Sequence, residues 1–536
     1  MNEGIAPGRL QRKLVLGVIT IGTFMAVLDI SIVNVALPQI MTSFGVNVKQ
    51  VKWVSTSFLL TTAVCIPLTG WLGRRLGLGR LFILELAIFT TGLALCASAW
   101  SLNVLVAARV LQALGAGAIM PTSLAIITET FPPAERGRAI GIWGIGFMLG
   151  PALGPTSGGY LMEWFDWRAI FAINVPVGVM AILLAFLVLA PGRKNDSLPF
   201  DWKGYLALVT FLVVGLLTLD FGQDMGWHSQ PILLGIGVSV SAFVLFVALE
   251  WDAEHPVFPL RLLRNSDFAA CLLLGVIRPI PLYGALFMLP LFLQNVQGRD
   301  TIDTGLLLVP AAVMTGICMP LAGMLTDRFG PRWPTMIGVL TAAYSLYLFT
   351  VLDPMVDRWM IIYPQFWRGI GVALLMTSVN TAALNAVPSG ETATASWVLN
   401  LTLSVGGAFT IGVLGTMLYR QTLTQIDLLG AAPVLAGPPP IELVHKSLTL
   451  GISSIDSGRV AFAVLLKQIS RSASALAFQH LYTVLTLLTL AALAPAFLLS
   501  SGGKTRSGEE AEESTPNTAS EHNNDDVKQD KLSLQE

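Results

Sequence analysis

Gly70-Trp71-Leu72-Gly73-Arg74-Arg75-Leu76-Gly77 and Gly323-Met324-Leu325-Thr326-Asp327-Arg328-Phe329-Gly330 are two versions of one phrase, 253 residues apart. Glycine opens and closes both, leucine is third and arginine sixth. A second pairing sets Arg109 and Gly115 against Arg368, Gly369 and Gly371, with the two arginines 259 residues apart. Two nearly equal offsets signal an internal repeat, and a repeat of that length sets the architecture.

The medium follows from composition. The chain has 536 residues, 54% hydrophobic and only 12% charged, against about 25% charged in an average soluble domain. Too few polar side chains are present to cover a water-facing surface, which excludes a soluble globular protein. Lys and Arg number 32 against 33 Asp and Glu, a net charge of −1, so there is no basic footprint for a nucleic acid.

A spanning helix needs roughly 20 apolar residues. Runs of that kind lie at about 14–37, 53–72, 81–99, 103–127, 138–161, 170–190, 204–222, 231–250, 269–293, 304–325, 335–352, 359–381, 395–418 and 480–500. The repeat then maps span 2 onto span 10 and span 4 onto span 12. A shift of eight spans means a six-span unit, two inserted spans and a second six-span unit. Both copies of the phrase face the same side, so the repeats are parallel. The expected fold is all-α and membrane-embedded: two parallel six-helix repeats plus two inserted helices, about fourteen spans.

The expected organisation is an N-terminal bundle over 1–190, inserted helices and linkers over 191–268, and a C-terminal bundle over 269–500. That last bundle includes a long outer loop at 419–479, in which Val460, Phe462, Leu465, Leu466 and Ile469 have helical spacing. They suit either a helix lying on the membrane surface or a docking face. The polar tail 501–536 reads as disordered. Segments on the side of the N-terminus hold fifteen Lys and Arg against five in the short loops opposite, which predicts both termini in the cytoplasm. Cys65, Cys96, Cys271 and Cys318 fall within apolar runs without metal spacing and read as small buried hydrophobes. The first apolar run is too long for a signal peptide and reads as a span that stays.

Several motifs carry a family resemblance. Leu28-Asp29-Ile30-Ser31-Ile32-Val33-Asn34-Val35-Ala36-Leu37-Pro38 lies in span 1 and Arg109-Val110-Leu111-Gln112 in span 4. Gly146 and Gly150-Pro151-Ala152-Leu153-Gly154-Pro155, with Gly158 and Gly159, lie in span 5. Leu291-Phe292-Leu293-Gln294, then Gly305 and Pro310, follow in the second half. Together with the repeated phrase they resemble the major facilitator superfamily, specifically its fourteen-span drug:proton antiporter branch (EmrB/QacA type). The resemblance runs from about Leu14 to Leu418. It departs at Ser31 (usually Thr), Ala113 (usually Gly) and Arg74. At Arg74 the superfamily usually carries an Asp that helps latch the outward-facing state; the second copy keeps it as Asp327.

The resemblance implies a bacterial inner-membrane exporter that alternates access between two rocking bundles. Its gating loops would hold Gly70, Arg74, Arg75, Gly77, Gly323, Asp327, Arg328 and Gly330. It implies proton exchange for hydrophobic drugs or toxic compounds. The basic residue at 74 and the long outer loop resemble the EmrB-like subgroup, which implies a periplasmic adaptor and an outer-membrane channel as partners.

Asp29 stands in mid-span, where an isolated charge costs roughly 2.5–3.5 kcal/mol on insertion scales and marks function. It is the first candidate for proton coupling, with Arg109 as its simplest partner; a static structural pair is the alternative. Gln112 shares the face of Arg109. Gly146, Gly150, Gly154 and Gly158 leave one helix face bare, and Pro151 and Pro155 bend it. Such a face would seal the seam between bundles, or simply pack closely. Phe24, Met25, Asn34, Tyr283, Phe287, Met288, Gln294, Tyr363, Trp367 and Arg368 are candidates for the substrate wall, since soft Met and aromatic surfaces suit varied ligands. Each of these also suits helix packing. Glu85 suits a partner for an inner-loop arginine, Asp220 the interface, and Arg278 either snorkelling outward or pairing with an acid in the cavity.

The five histidines have no metal spacing, and no Walker A, GxSxG or HExxH motif occurs. No cofactor and no enzymatic activity are expected. The function that fits is a proton-coupled exporter. The rivals are a dedicated carrier of one metabolite, such as a siderophore or lipid, and a transporter-like receptor.

Overall fold

The computed structural model describes residues 8–190, 199–428 and 454–500. Among them every regular element is helical. In a bilayer each backbone N–H and C=O must be bonded within its own segment, which leaves helices as the solution for chains this apolar. The first repeat comprises α1 (Arg9–Phe44), α2 (Val48–Val51), α3 (Trp53–Cys65), α4 (Leu68–Leu76), α5 (Leu78–Ala97), α6 (Leu102–Thr130), α7 (Pro133–Trp164), α8 (Ala169–Ala172) and α9 (Asn174–Val188). The inserted pair is α10 (Trp202–Met225) and α11 (Gln230–Asp252). The second repeat comprises α12 (Ser266–Ile277), α13 (Ala285–Leu291), α14 (Thr301–Phe329), α15 (Arg332–Leu348), α16 (Arg358–Asn385), α17 (Thr392–Leu428), α18 (Ser454–Ala491) and α19 (Leu493–Leu498).

Eleven segments are long and apolar enough to cross a membrane, and thirteen when the bent pairs Val48–Cys65 with Leu68–Leu76 and the two halves of α7 each count as one. The 28-residue α16 has the length but is more polar, burying Gln365, Arg368 and Asn380. With it the described spans match the fourteen expected. The ninth is irregular: α12 and α13 are joined and followed by π-helical turns at Ile280–Gly284 and Phe292–Val296. Pro279, Pro281 and Pro290 remove backbone donors there, and wider turns are the usual response.

Helix ends carry local signals. Asn47 and Gln50 form a reciprocal capping box, and Asp201, Asn265 and Asp300 cap α10, α12 and α14. Gly77 (φ 86°) and Gly330 (φ 78°) follow α4 and α14 in the left-handed region, which explains why both copies of the repeated phrase end in glycine. The rest of each phrase is helical, so the expected gating loops are the last turns of α4 and α14.

The described parts of the outer loop expected at 419–479 are helical. Residues 429–453 lie outside the described residues, as do Arg193, Lys194 and the tail 501–536. On either side of 429–453, α17 runs to Leu428 and α18 begins at Ser454. At about 1.5 Å per residue each is about 55 Å long, against a hydrocarbon thickness of about 30 Å. The segment expected to lie on the membrane is therefore continuous with the last span.

The inserted pair bridges the two repeats. On one side Lys52 lies 3.1 Å from Asp220 and 3.3 Å from Asp224, and Thr56 donates to Asp220 at 3.0 Å. On the other, Trp227 Nε1 donates to Thr416 of α17 at 2.8 Å.

Candidate functional site

Asp29 and Arg109 are carried by α1 and α6 and are both fully buried. Arg109 Nη1 donates to Asp29 Oδ2 at 2.5 Å and to Gln112 Oε1 at 2.7 Å. Its Nε donates to the Val54 carbonyl at 3.3 Å. The guanidinium lies 4.0 Å from the Phe58 ring centroid, a cation–π contact within a dry site. Asp29 Oδ1 and Gln112 Nε2 have no hydrogen-bond partner among the described residues. Sequence reasoning paired these two residues; it missed Thr23, Ser123 and Trp143, whose polar atoms link α1, α6 and α7 further along the same helices. Trp143 Nε1 donates to Thr23 at 2.8 Å, and Thr23 and Ser123 share a 3.2 Å hydrogen bond.

Of the two expectations for the bare glycine face of α7, a seam between bundles or close packing, the contacts are those of close packing, against α1. Side-chain atoms added at Gly146, Gly150, Gly154 and Gly158 would strike Thr20, Val27–Leu28, Ser31 and Ile32 respectively, while Gly159 faces open space. That stripe lets α7 clamp the stretch of α1 that carries Asp29. α7 bends after Pro151, which turns its outer end away from the direction of its first half. The glycines that do face the other half are Gly137, Gly141 and Gly144, against Gly323, Asp327, Met319 and Pro320 of α14.

Asp327 closes that seam. Its Oδ1 accepts from the Gly137 N–H at 2.8 Å and its Oδ2 from the Arg138 N–H at 2.9 Å. The first copy of the phrase mates in the same way with α17: Gly70 packs against Trp397 and Thr394. Arg74, in place of the acid, lines a cavity of about 300 Å³ together with Arg261 and Glu391. Arg261 lies 2.8 Å from Glu391. Arg75 and Arg328 stack on Trp71 and Phe329.

Between the halves lies an apolar cluster of Val27, Phe147, Met148, Leu282, Met319, Val372, Ala373, Met376 and Leu403, with Met120, Tyr283 and Cys318 at its edge. Of the expected wall residues only Tyr283 belongs to it. Met25 is buried in a large cluster that draws on both halves, Met288 is buried in a core of the second half, and Phe24 and Phe287 are half-buried. Asn34 is exposed and accepts from Ser55 at 3.2 Å, and Gln294 is exposed as well. Tyr363 and Trp367 form an aromatic group with Tyr344. Arg368 is buried, and its Nε donates to Gln365 Oε1 at 2.7 Å. The methionines of the central cluster come from four helices, which sequence spacing alone does not connect.

The other membrane charges have local partners, though Glu85 Oε2, like Asp29 Oδ1, has none among the described residues. Glu85 Oε1 accepts from Thr122 at 2.7 Å, and no inner-loop arginine lies within ion-pair distance of it among the described residues. Asp220 pairs with Lys52, as above. Arg278 has neutral partners, Asn380 and the Leu399 carbonyl. No group of His, Cys, Asp and Glu able to hold a metal occurs among the described residues.

The family model of the Major Facilitator Superfamily matches residues 19–411. The multidrug resistance protein Stp of Mycobacterium tuberculosis is 33% identical over 74% of this chain and 74% of its own length. The multidrug export protein EmrB of Escherichia coli is 31% identical over 74% of this chain and 78% of its own. The solved structure of the proton:xylose symporter XylE superposes with a TM-score of 0.58 at 14% identity, covering 94% of this chain and 99% of that one. With two mated repeats, a buried charge pair and this match in hand, the chain belongs to the major facilitator superfamily and is a multi-pass membrane transporter, not an enzyme.

Proposed function

We propose that the protein exports hydrophobic small molecules from the cytoplasm in exchange for protons, with Asp29 as the proton-carrying carboxylate. The observation that carries this reading is the 2.5 Å Asp29–Arg109 pair with one carboxylate oxygen unpartnered in a dry site. The names of the relatives Stp and EmrB supply the substrate class.

A proton on Asp29 removes its charge and leaves Arg109 to Gln112 and the Val54 carbonyl. The pair then no longer holds α1 against α6. α1 is clamped by the glycine stripe of α7, and α7 carries at its other end the Gly137–Arg138 site that binds Asp327. A change at Asp29 thus has a rigid path to the seam between the halves. The soft methionine cluster at that seam supports a varied apolar cargo. Moving one charge through 100 mV supplies about 2.3 kcal/mol, enough in principle to drive export.

The same reading puts both termini in the cytoplasm and the protein in a bacterial inner membrane. The long α17 and α18 would present the outer hairpin to a periplasmic adaptor leading to an outer-membrane channel. Deleting 429–453 should then abolish export from cells but leave vesicle transport intact.

The test of coupling is transport in inside-out vesicles with an imposed pH gradient and an internal pH dye. Substrate-triggered proton efflux that disappears in Asp29→Asn supports the assignment. Efflux that survives the substitution removes Asp29 from the role, and no efflux with any compound from folded protein defeats the exporter reading.

A further inference from the structure

Among the described residues two arginines are buried in the second repeat, and neither has an acid beside it. Arg109 of the first repeat is neutralised by Asp29. Arg278 and Arg368 have no carboxylate within ion-pair distance among the described residues; their partners are Asn380, Gln365 and a carbonyl. Neutral partners spread a charge without cancelling it, and an uncompensated cation in a dry interior is costly. The membrane interior of this half therefore carries a standing positive potential.

Arg278 stands where that potential meets the central cluster. It follows the last residue of α12, just before the proline-broken turn. Nη1 donates to Asn380 Oδ1 at 2.7 Å, Nη2 donates to the Leu399 carbonyl at 3.0 Å, and Nε has no partner. Each of these three residues lies one helical turn from a member of the central cluster: Arg278 from Leu282, Asn380 from Met376, and Leu399 from Leu403. In all three helices the step runs toward the Asp327 side of the molecule. Arg278 thus forms the floor of the apolar cluster, with a buried guanidinium N–H left over.

We infer that Arg278 receives an acidic group on the transported molecule, so that the protein favours hydrophobic anions over hydrophobic cations. This rests on the export reading. A carboxylate or sulfonate matches the unpaired donor, and the methionine cluster above it takes the apolar body.

The test uses two probes of one shape and opposite charge, 2-naphthalenesulfonate and 2-naphthyltrimethylammonium. Each is titrated against the detergent-purified protein while the thermal unfolding midpoint is followed. The expected result is an apparent affinity about tenfold or more higher for the sulfonate. Arg278→Gln should erase that preference and Arg278→Lys should keep its direction. Should Arg278→Gln fail to fold, Asn380→Asp serves, because it sets an acid beside the intact arginine and should erase the preference as well. Equal or tighter binding of the cation, binding of neither probe, or a preference that persists in Arg278→Gln or Asn380→Asp overturns the inference. Proton flux in vesicles separates the two readings. Flux driven by the cation alone leaves the exporter standing and removes the anion site; sulfonate binding without flux from either probe keeps the site and removes the exporter.

Discussion

Arg109 reaches Asp29 from another helix, α6 to α1, at 2.5 Å, and neither side chain touches solvent. In a buried pair the interaction and the desolvation of its members nearly balance, while removal of one member leaves a bare charge.

Arg109→Gln should therefore lower stability by about 3–5 kcal/mol, and adding Asp29→Asn to it should recover most of that loss. A double-mutant cycle on thermal unfolding in detergent measures it. Additive single effects would show that the pair is not coupled.

The Asp327 seam should behave as a latch. Hydrogen bonds to a charged group are worth about 1.5–3 kcal/mol each. Asp327→Ala loses both of its bonds to α7 and should open that side. The native Cys318, half-buried at the central cluster, should then react with a maleimide about tenfold or more faster. Asp327→Asn, which keeps one acceptor, should fall between. An unchanged rate in Asp327→Ala would remove the latch.

The glycines of α7 should differ sharply in tolerance. Gly154 meets Ser31 with no room for a methyl group, whereas Gly159 has open space. Gly154→Ala should cost about 1–3 kcal/mol, and Gly159→Ala should lie within about 0.5 kcal/mol of the parent. Comparable unfolding midpoints for the two variants would contradict the close approach of α7 to α1.

Glu85 should prove dispensable for coupling. Among the described residues its one hydrogen bond joins it to Thr122 within the α5–α6 contact. Glu85→Gln should keep substrate-driven proton flux within about threefold of the parent, a difference of about 0.7 kcal/mol at most. Loss of flux in folded Glu85→Gln would move the proton site there.

The sequence by itself determined the medium, the number and order of the spans, the parallel repeat and the Asp29–Arg109 candidate pair. The physical reason is contrast. In a chain this apolar each charge within a span is a rare and costly event, and glycine at a helix end is a backbone requirement that recurs in both copies. What only the tertiary structure decided is which way each helix faces. Helices such as α6 are apolar on nearly every side, so the period carries little information about facing, and lipid and protein interior attract the same side chains. For this reason the glycine stripe of Gly146–Gly158 reads equally well as a seam between bundles or as a bed for α1, and contact with Thr20, Val27 and Ser31 settles it as the bed. The methionines of the central cluster lie on four separated helices, and Arg278 finds Asn380 102 residues further along the chain. Those meetings depend on helix rotation and tilt, which are set by side-chain packing between spans rather than by hydropathy along them.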